Sequence, residues 1–450
     1  MTLAVEEKIH ADGNTFKLRM MGVVLEACAQ NVPGNFPREG EVSAGVRSRD
    51  TMTLFGRVPL KNRAYFYNPT TKTGRYPLDE ALGLVRGCTP ALCKEALAYA
   101  AHEAYDTAAE LFAKAYTKDL TADILKGLAR DLGPRAAQFE DGPAGNGAPA
   151  ENAAPECVVL QVDGTGMPMR KRALRGARGR NGAKASTREV KLGVMFAMKP
   201  SPPGKTGAAQ GAQGAQNPAA KHVKKRGGLN GRGALPEGRE RDKPSTRHFA
   251  TLARTGAFAE KFRSRALRRH PVPAKVQLFI GDGAAWVWKL RRTHFPRAVE
   301  ILDFYHAAQY MEPLLDLWGL DGKERKALRA KWRRWLLAGR VGRLIEACAA
   351  RAAGASVKKA AAWREALRYY QNNKGRMKYD EYLAKGWFIG SGVVESACRT
   401  VVGERFKRAG MRWSRKGAEA LLPFRAALIS KNYDALWNFI IGNQRMLEAA

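Results

Sequence analysis

Three short apolar runs, each stopping at an aspartate, constrain this chain most. CVVLQVD (157–163) is a continuous β-branched stretch, VQLFIGD (276–282) repeats the pattern, and AVEILD (298–303) repeats it again. The first two runs predict strands buried within a sheet, and the third a further strand. Asp163-Gly164 and Asp282-Gly283 are also ordinary turn dipeptides, so either alone says little. Together they put acids at the ends of central strands.

Between and after these runs the pattern fills in a domain. VKLGVMFAMKP reads as a second strand and RHFATLA as a third. GAFAEKFRSRALRRH and AAWVWKLRRTHF read as amphipathic helices flanking the fourth strand, which ends at Asp282, and a fifth ends near Asp303. From Tyr305 to about Lys385 the chain is helical, with Trp318, Trp332, Trp335, Leu336, Trp363, Tyr369 and Tyr370 as its apolar face. Three antiparallel strands followed by βαβ units is the plan of an RNase H-like sheet.

GWFIGSGVVESACRTVVGERFKRAGMRWSRK (386–416) supplies a third acid. Gly390-Ser391-Gly392 opens a helix, with Ser391 as the expected N-cap. Glu395 follows among Val393, Val394, Ala397 and Cys398, an apolar setting costly for a carboxylate without a cationic partner. A helix-start glutamate or an i,i+4 pair with Arg399 are the plainer alternatives. Brought to one sheet edge, Asp163, Asp282 and Glu395 would repel one another without a cation. Oxygen ligands of this kind suit hard divalent ions, and two Mg²⁺ ions about 4 Å apart serve phosphodiester chemistry.

The N-terminal third reads differently. A helix is expected near Thr15–Ala29 from Phe16, Met20, Val23, Val24 and Ala27, then a small hairpin over 50–77. Helices follow from Leu78 to about Leu132: Thr89 caps one with Pro90 in its first turn, and Thr121 caps a shorter one ending before Gly133. Helices joined by tight turns suit a helix-turn-helix or a plain bundle. Residues 133–156 read as a Gly/Pro/Ala linker and 200–247 as a flexible basic insertion. The domains expected are 1–77, 78–132, the linker, 157–304, a helical insertion 305–385, and 386–450.

Charge points to the partner. Lys and Arg number 77 against 42 Asp and Glu, a formal +35. Such an excess fits a polyanion, with nucleic acid ahead of a membrane surface. No apolar run is long enough to span a bilayer, and the start, MTLAVEEKIHADGN, lacks the pattern of a signal peptide, so cytoplasmic residence is expected. Nine Lys/Arg lie between Arg170 and Lys191 against the single Glu189, and Arg170, Lys171 and Arg172 lead that cluster. Arg399, Arg405, Lys407, Arg408, Arg412, Arg415 and Lys416 follow Glu395 and suit DNA phosphates. Trp413 reads either as a base-stacking wedge or as core. The six cysteines form no CxxC, so zinc or a disulfide framework is not expected.

VDGTG (162–166), GDGAAW (281–286), HFPRAVEILDFYH (294–306), GSGVVESACR…RFKRAGMRWSRKGAEALL (390–422) and YPLDEALGL (76–84) with the TP after it resemble the DDE transposases of bacterial insertion sequences, most closely the Kra-type family. The resemblance spans most of the chain. It implies an RNase H-like multidomain α/β protein with a helical insertion and an N-terminal helix-turn-helix region. It implies a Mg²⁺-dependent triad at Asp163, Asp282 and Glu395, with Mn²⁺ as a substitute, and makes Asp303 and His306 candidates for roles beside the metal, a strand-end aspartate and a satisfied histidine being the plainer reading. The expected partners are the inverted repeats, target DNA and a second protomer, since two-ended chemistry needs at least a dimer. Relatives often carry a cysteine pair in the hairpin before YPLD, where this chain has Tyr67 and Thr70, and the 200–247 insertion is longer than the pattern. The rivals are an RNase H-like nuclease or resolvase without strand transfer and an inactive DNA-binding protein. A haloacid-dehalogenase-like phosphatase would need an aspartate where Gln161 stands and another shortly after GDG, where Ala284, Ala285 and Trp286 follow.

Overall fold

The computed structural model describes residues 2–30, 32, 35–139, 155–177, 183–200, 239–270 and 272–448. In chain order the elements are α1 (Thr2–Gln30), β1 (Val42–Thr53), β2 (Gly56–Asn68), β3 (Thr73–Arg75), α2 (Pro77–Ala81), α3 (Pro90–His102), α4 (Tyr105–Ala115), α5 (Ala122–Ala136) and β4 (Cys157–Pro168). Then come β5 (Thr187–Pro200), β6 (Arg239–Arg241), β7 (Arg247–Thr251), α6 (Thr255–Arg269), β8 (Val276–Gly281), α7 (Ala285–His294) and β9 (Val299–Leu302). The rest is helical: α8 (Phe304–Gln309), α9 (Met311–Trp318), α10 (Gly322–Leu337), α11 (Val341–Ala353), α12 (Val357–Asn373), α13 (Tyr379–Ala384), α14 (Gly392–Ala397), α15 (Glu404–Phe406), α16 (Arg415–Ile429) and α17 (Tyr433–Glu448). The chain is a mixed α/β protein. Among the described residues no helix is long and apolar enough to cross a membrane. Contacts divide it into two compact units: residues 1–139, 167–188 and 401–450, and residues 140–166 and 189–400.

In the first unit β1, β2 and β3 form an antiparallel sheet. This is larger than the hairpin expected over 50–77, because β1 begins at Val42, in a stretch exposed on both faces that carries no apolar alternation. Leu18, Met21, Leu25 and Ala29 of α1 pack with Val58, Leu60 and Leu78. The face that predicted this helix is the other one: Phe16, Met20, Val23 and Val24 are 47–64% exposed. Arg63, 2% exposed, is held by both oxygens of Asp79 at 2.8 and 2.6 Å and lies over the Tyr76 ring, which is what the YPLD turn does in the fold.

The helical part of this unit follows its caps. Thr89 accepts from Leu92 N–H and Thr121 from Ile124 N–H, each satisfying an orphan donor at a helix start. α5 does not stop before Gly133 but runs through Pro134 to Ala136. α16 lies against it, and a Cβ on Gly133 would fall 2.5 Å from the Ala420 Cα, so glycine here serves a close helix–helix approach rather than a stop. α16 also packs on α3, so the segment expected as a single piece, 386–450, divides near residue 400.

The second unit is built on a six-stranded sheet in the order β6-β5-β4-β8-β9, with β7 also on β5. β4, β8 and β9 are parallel neighbours, and β5 pairs antiparallel with β6 and β7. β6 falls inside the insertion expected over 200–247; most of that insertion, like most of the expected linker 133–156, lies outside the described residues. Asp163 does not end β4. The strand continues to Pro168 because the returning chain keeps bonding it, as in Met169 N–H to the Ser186 carbonyl. Trp332, Trp363, Leu336 and Tyr370 are buried as expected for the helical insertion, with Trp318 edge-on to both Trp332 and Trp363.

Candidate metal centre

Register sets the acids level. Gln161 pairs with Ile280, and Gly281 with Leu302, across the parallel strands β4, β8 and β9. Two residues past Gln161 and Ile280 stand Asp163 and Asp282; one past Gly281 and Leu302 stand Asp282 and Asp303. Adjacent strands lie about 4.8 Å apart, so three carboxylates share the carboxyl edge of three neighbouring strands. Gly283 lets the chain leave that edge. Its φ of +98° is left-handed, and a Cβ there would meet the Tyr369 ring at 2.9 Å. Ala284 N–H donates to Asp282 Oδ1 at 2.9 Å, and Tyr369 OH to the Asp282 carbonyl, fixing the turn.

Glu395 reaches this edge on α14, and two buried polar side chains hold the start of that helix. Gln161, fully buried, donates from Nε2 to the Gly390 carbonyl (3.1 Å) and accepts from Val394 N–H (3.0 Å). Asp303, also fully buried, accepts from Ser391 N–H, from His306 N–H (2.5 Å) and at 3.2 Å from His306 Nδ1. Ser391 stands at the N-cap position, yet its hydroxyl donates to Glu395 Oε1 at 2.9 Å instead of capping the backbone. Glu395 is 46% exposed rather than buried. The helical turn places Val394, Ala397 and Val401 inward and swings Glu395 out. Past Ala397 the helix widens into a π turn over Cys398–Gly403, a form concentrated at functional sites.

The electrostatics follow from this crowding. Burial pushes the Asp163 pKa up, and the like charge of Asp282 adds to it against hydrogen bonds from Gly164 N–H and the Cys398 thiol. Burial also pushes Asp303 up, but the hydrogen bonds from His306 and Ser391 outweigh it and hold Asp303 below its ordinary value. His306 is raised to about 9, first by its hydrogen bond to Asp303 and then by the charges of Asp303, Glu395 and Asp282, against burial. An imidazolium therefore stands among the acids at neutral pH, with Nδ1 3.8 Å from Glu395 Oε1.

Ligand atoms of Asp303, His306 and Glu395 lie within 4.8 Å of one another, so this group could hold a metal ion. Among the described residues Asp163 and Asp282 are not in this group, so the expected triad is not brought together as one ligand cluster. Asp163 lies near it, accepting from Cys398 Sγ at 3.4 Å one helical turn beyond Glu395, and the charge of Asp282 acts on both Asp163 and His306. Gln161 is the member that sequence reasoning passed over as a positioning group. The signal was there: a lone amide inside an otherwise apolar buried strand must find partners.

The residues expected on DNA separate into two sets. Arg170, Lys171 and Arg172 are exposed in the first unit, and Arg412, Arg415 and Lys416 are exposed beside them, where Arg170 N–H bonds the Trp413 carbonyl and Arg170 Nε the Arg412 carbonyl. Lys407 is exposed in the same unit and Arg399 in the second. Arg405, Arg408 and Trp413 are engaged internally. Trp413, 8% exposed, donates to the Phe406 carbonyl and packs on Phe406 and Tyr105, so it is core and not a wedge. Arg405 is fully buried against the rings of Tyr105, Phe406 and Trp413 and donates to the Ala100 carbonyl; burial lowers its pKa to about 10. Arg408 is paired with Glu103.

No family model matches the chain, and no curated protein matches it.

Proposed function

We propose that the chain is a DDE-type DNA transposase of an insertion sequence. In this reading the second unit is an RNase H-like catalytic core, and Asp163, Asp282 and Glu395 are its metal-holding acids. The observation that carries it is the level placement of Asp163 and Asp282 on adjacent parallel strands, with the Glu395 helix bonded to the same strand through Gln161. The strand order supports the fold assignment: with the three-residue β6 left out and the rest numbered from β4, the path through β7, β5, β4, β8 and β9 runs 3-2-1-4-5, with the last two strands parallel to the first. The helices α3, α4 and α5 serve as the expected helix-turn-helix region.

The donor set fits Mg²⁺, or Mn²⁺ in its place, because it is made of hard carboxylate oxygens and the charge of Asp282 adds to the rise in the Asp163 pKa. Asp303 positions Ser391 and His306 through its hydrogen bonds, and it also belongs to the group whose ligand atoms could hold the ion. Held by these acids, a divalent ion would supply activation of the attacking oxygen and stabilisation of the leaving one. The chain's own groups orient those acids through Gln161 and Asp303. Its exposed cations, Arg170, Lys171, Arg172, Arg412, Arg415 and Lys416, neutralise phosphates of the element ends and the target. Hydrolysis frees a 3′-OH at the element end, and that hydroxyl then attacks a target phosphodiester, joining the element end to the target 5′-phosphate as the P–O3′ bond breaks and a target 3′-OH leaves.

The test is cleavage of end DNA by Asp163→Asn, Asp282→Asn and Glu395→Gln. Each is expected to abolish Mg²⁺-dependent cleavage while end binding persists. Near-normal cleavage by any one removes that residue from the triad. Cleavage by the wild type with no joined product, when target DNA is supplied, would favour a nuclease over a transposase.

A further inference from the structure

α1 has two apolar faces, and among the described residues only one is used. Leu18, Met21, Leu25 and Ala29 cover the β1–β3 sheet. On the opposite side of the helix stand Ile9 (66% exposed), Phe16 (64%), Met20 (47%) and Val23 (63%), with exposed Ala27 and partly exposed Gly13 in line with them. Their spacing is a heptad one: Ile9, Phe16 and Val23 recur every seventh residue as one seam position, and Gly13, Met20 and Ala27 as the other.

The charges beside the seam choose its partner and direction. Asp12, Arg19 and Glu26 flank one side, and Lys17 and Val24 the other, all exposed. In a parallel pair of identical helices Asp12 of one faces Lys17 of the other, and the Arg19 stem covers Val24. In an antiparallel pair that keeps the same seam, Asp12 would face Glu26, Arg19 would face Arg19 and Lys17 would face Lys17. Every one of those contacts is repulsive. Lys17 has only a loose internal contact, its ammonium 5.8 Å from the Phe55 ring. A seam of three heptads is short for a free peptide, but α1 is already held as a helix by its inner face.

We propose that the outer face of α1 is the seam of a parallel, in-register coiled coil with a second copy of this chain. The pairing needs no DNA and no metal, so it stands or falls separately from the catalytic assignment.

The mass of the full-length protein, free of DNA, tests it by sedimentation or light scattering at micromolar concentration. A dimer is expected, and Phe16→Glu with Val23→Glu is expected to halve the mass with the circular dichroism unchanged. Asp12→Lys is expected to weaken the dimer, and Asp12→Lys with Lys17→Asp to restore it. A monomeric wild type, or a dimer indifferent to the seam substitutions, overturns the proposal. Because the glutamate variant could fail to fold, a second measurement stands beside it. Met20→Cys in a Cys28→Ser background, which removes the exposed native thiol of this helix, should form a disulfide-linked dimer on mild oxidation. Failure to cross-link, against the same background without Met20→Cys, rules out an in-register parallel seam.

Discussion

Gln161 Oε1 accepts the backbone N–H of Val394 at 3.0 Å, joining residues 233 positions apart in the chain. The bond comes from a fully buried amide whose other end holds the Gly390 carbonyl, so the strand carrying Asp163 and the helix carrying Glu395 share one side chain. Gln161→Leu preserves the apolar strand but removes both bonds and leaves Val394 N–H and the Gly390 carbonyl unsatisfied. It should cost about 1–3 kcal/mol of stability and lower Mg²⁺-dependent cleavage at least tenfold. Denaturant melts and cleavage rates measured on one preparation check both. A variant that loses stability but keeps full cleavage would show that Gln161 does not position Glu395.

His306 makes the stability of the second unit pH-dependent. Its folded-state pKa is raised to about 9 from 6.5, so the folded protein holds the proton more tightly than the unfolded chain. The contribution is fully present below pH 6.5 and lost as pH rises through about 9. It should amount to about 2 kcal/mol once the solvent that reaches the ring is allowed for. Denaturant melts in chelator at a series of pH values, for wild type and His306→Gln, should converge at the alkaline end and separate at the acid end. Parallel curves would remove the histidine from the network.

The two classes of basic residue should separate on DNA. Replacing Arg170, Lys171 and Arg172 together by Ala should weaken binding across all sequences and reduce the slope of log affinity against log salt by about 3. Trp413→Phe should leave affinity and salt slope unchanged, because the indole lies inside the fold. Arg405→Met should alter thermal stability with no change in the slope. A salt slope that moves with Arg405 or Trp413 would reverse this division.

Gly133→Val should destabilise the first unit by about 1–3 kcal/mol, since its Cβ would meet the Ala420 backbone, which cannot swing aside as a side chain could. Thermal unfolding measures it, and Gly442→Ala, which has open space around its Cβ, serves as the control.

What could be read from the chain alone was whatever physics writes locally. The strands ending near Asp282 and Asp303 follow from short, mostly apolar runs, and the helix starts at Thr89 and Thr121 from hydroxyls that accept backbone N–H groups. What could not be read depends on distant partners. The apolar residues of α1 announced a helix but not which face the sheet takes. Asp163-Gly164 looked like a turn, but the chain returning through Ser186 keeps that backbone extended. Glu395 looked buried because its sequence neighbours are apolar, whereas the helical turn sends them inward and the carboxylate out. Arg405 looked like a phosphate contact, and Trp413 read equally as a base contact or as core, until Tyr105 and Ala100, some three hundred residues earlier, closed over them.

Cys398 carries a practical consequence. Its sulfur lies 3.4 Å from the Asp163 carboxylate and is half-buried, so a soft donor sits within reach of groups suited to hard ions. Thiophilic contaminants such as zinc, cadmium or nickel leached from an affinity resin would lodge there in preference to magnesium. Preparations that have not been stripped and reduced would then look inert for reasons unrelated to their folding.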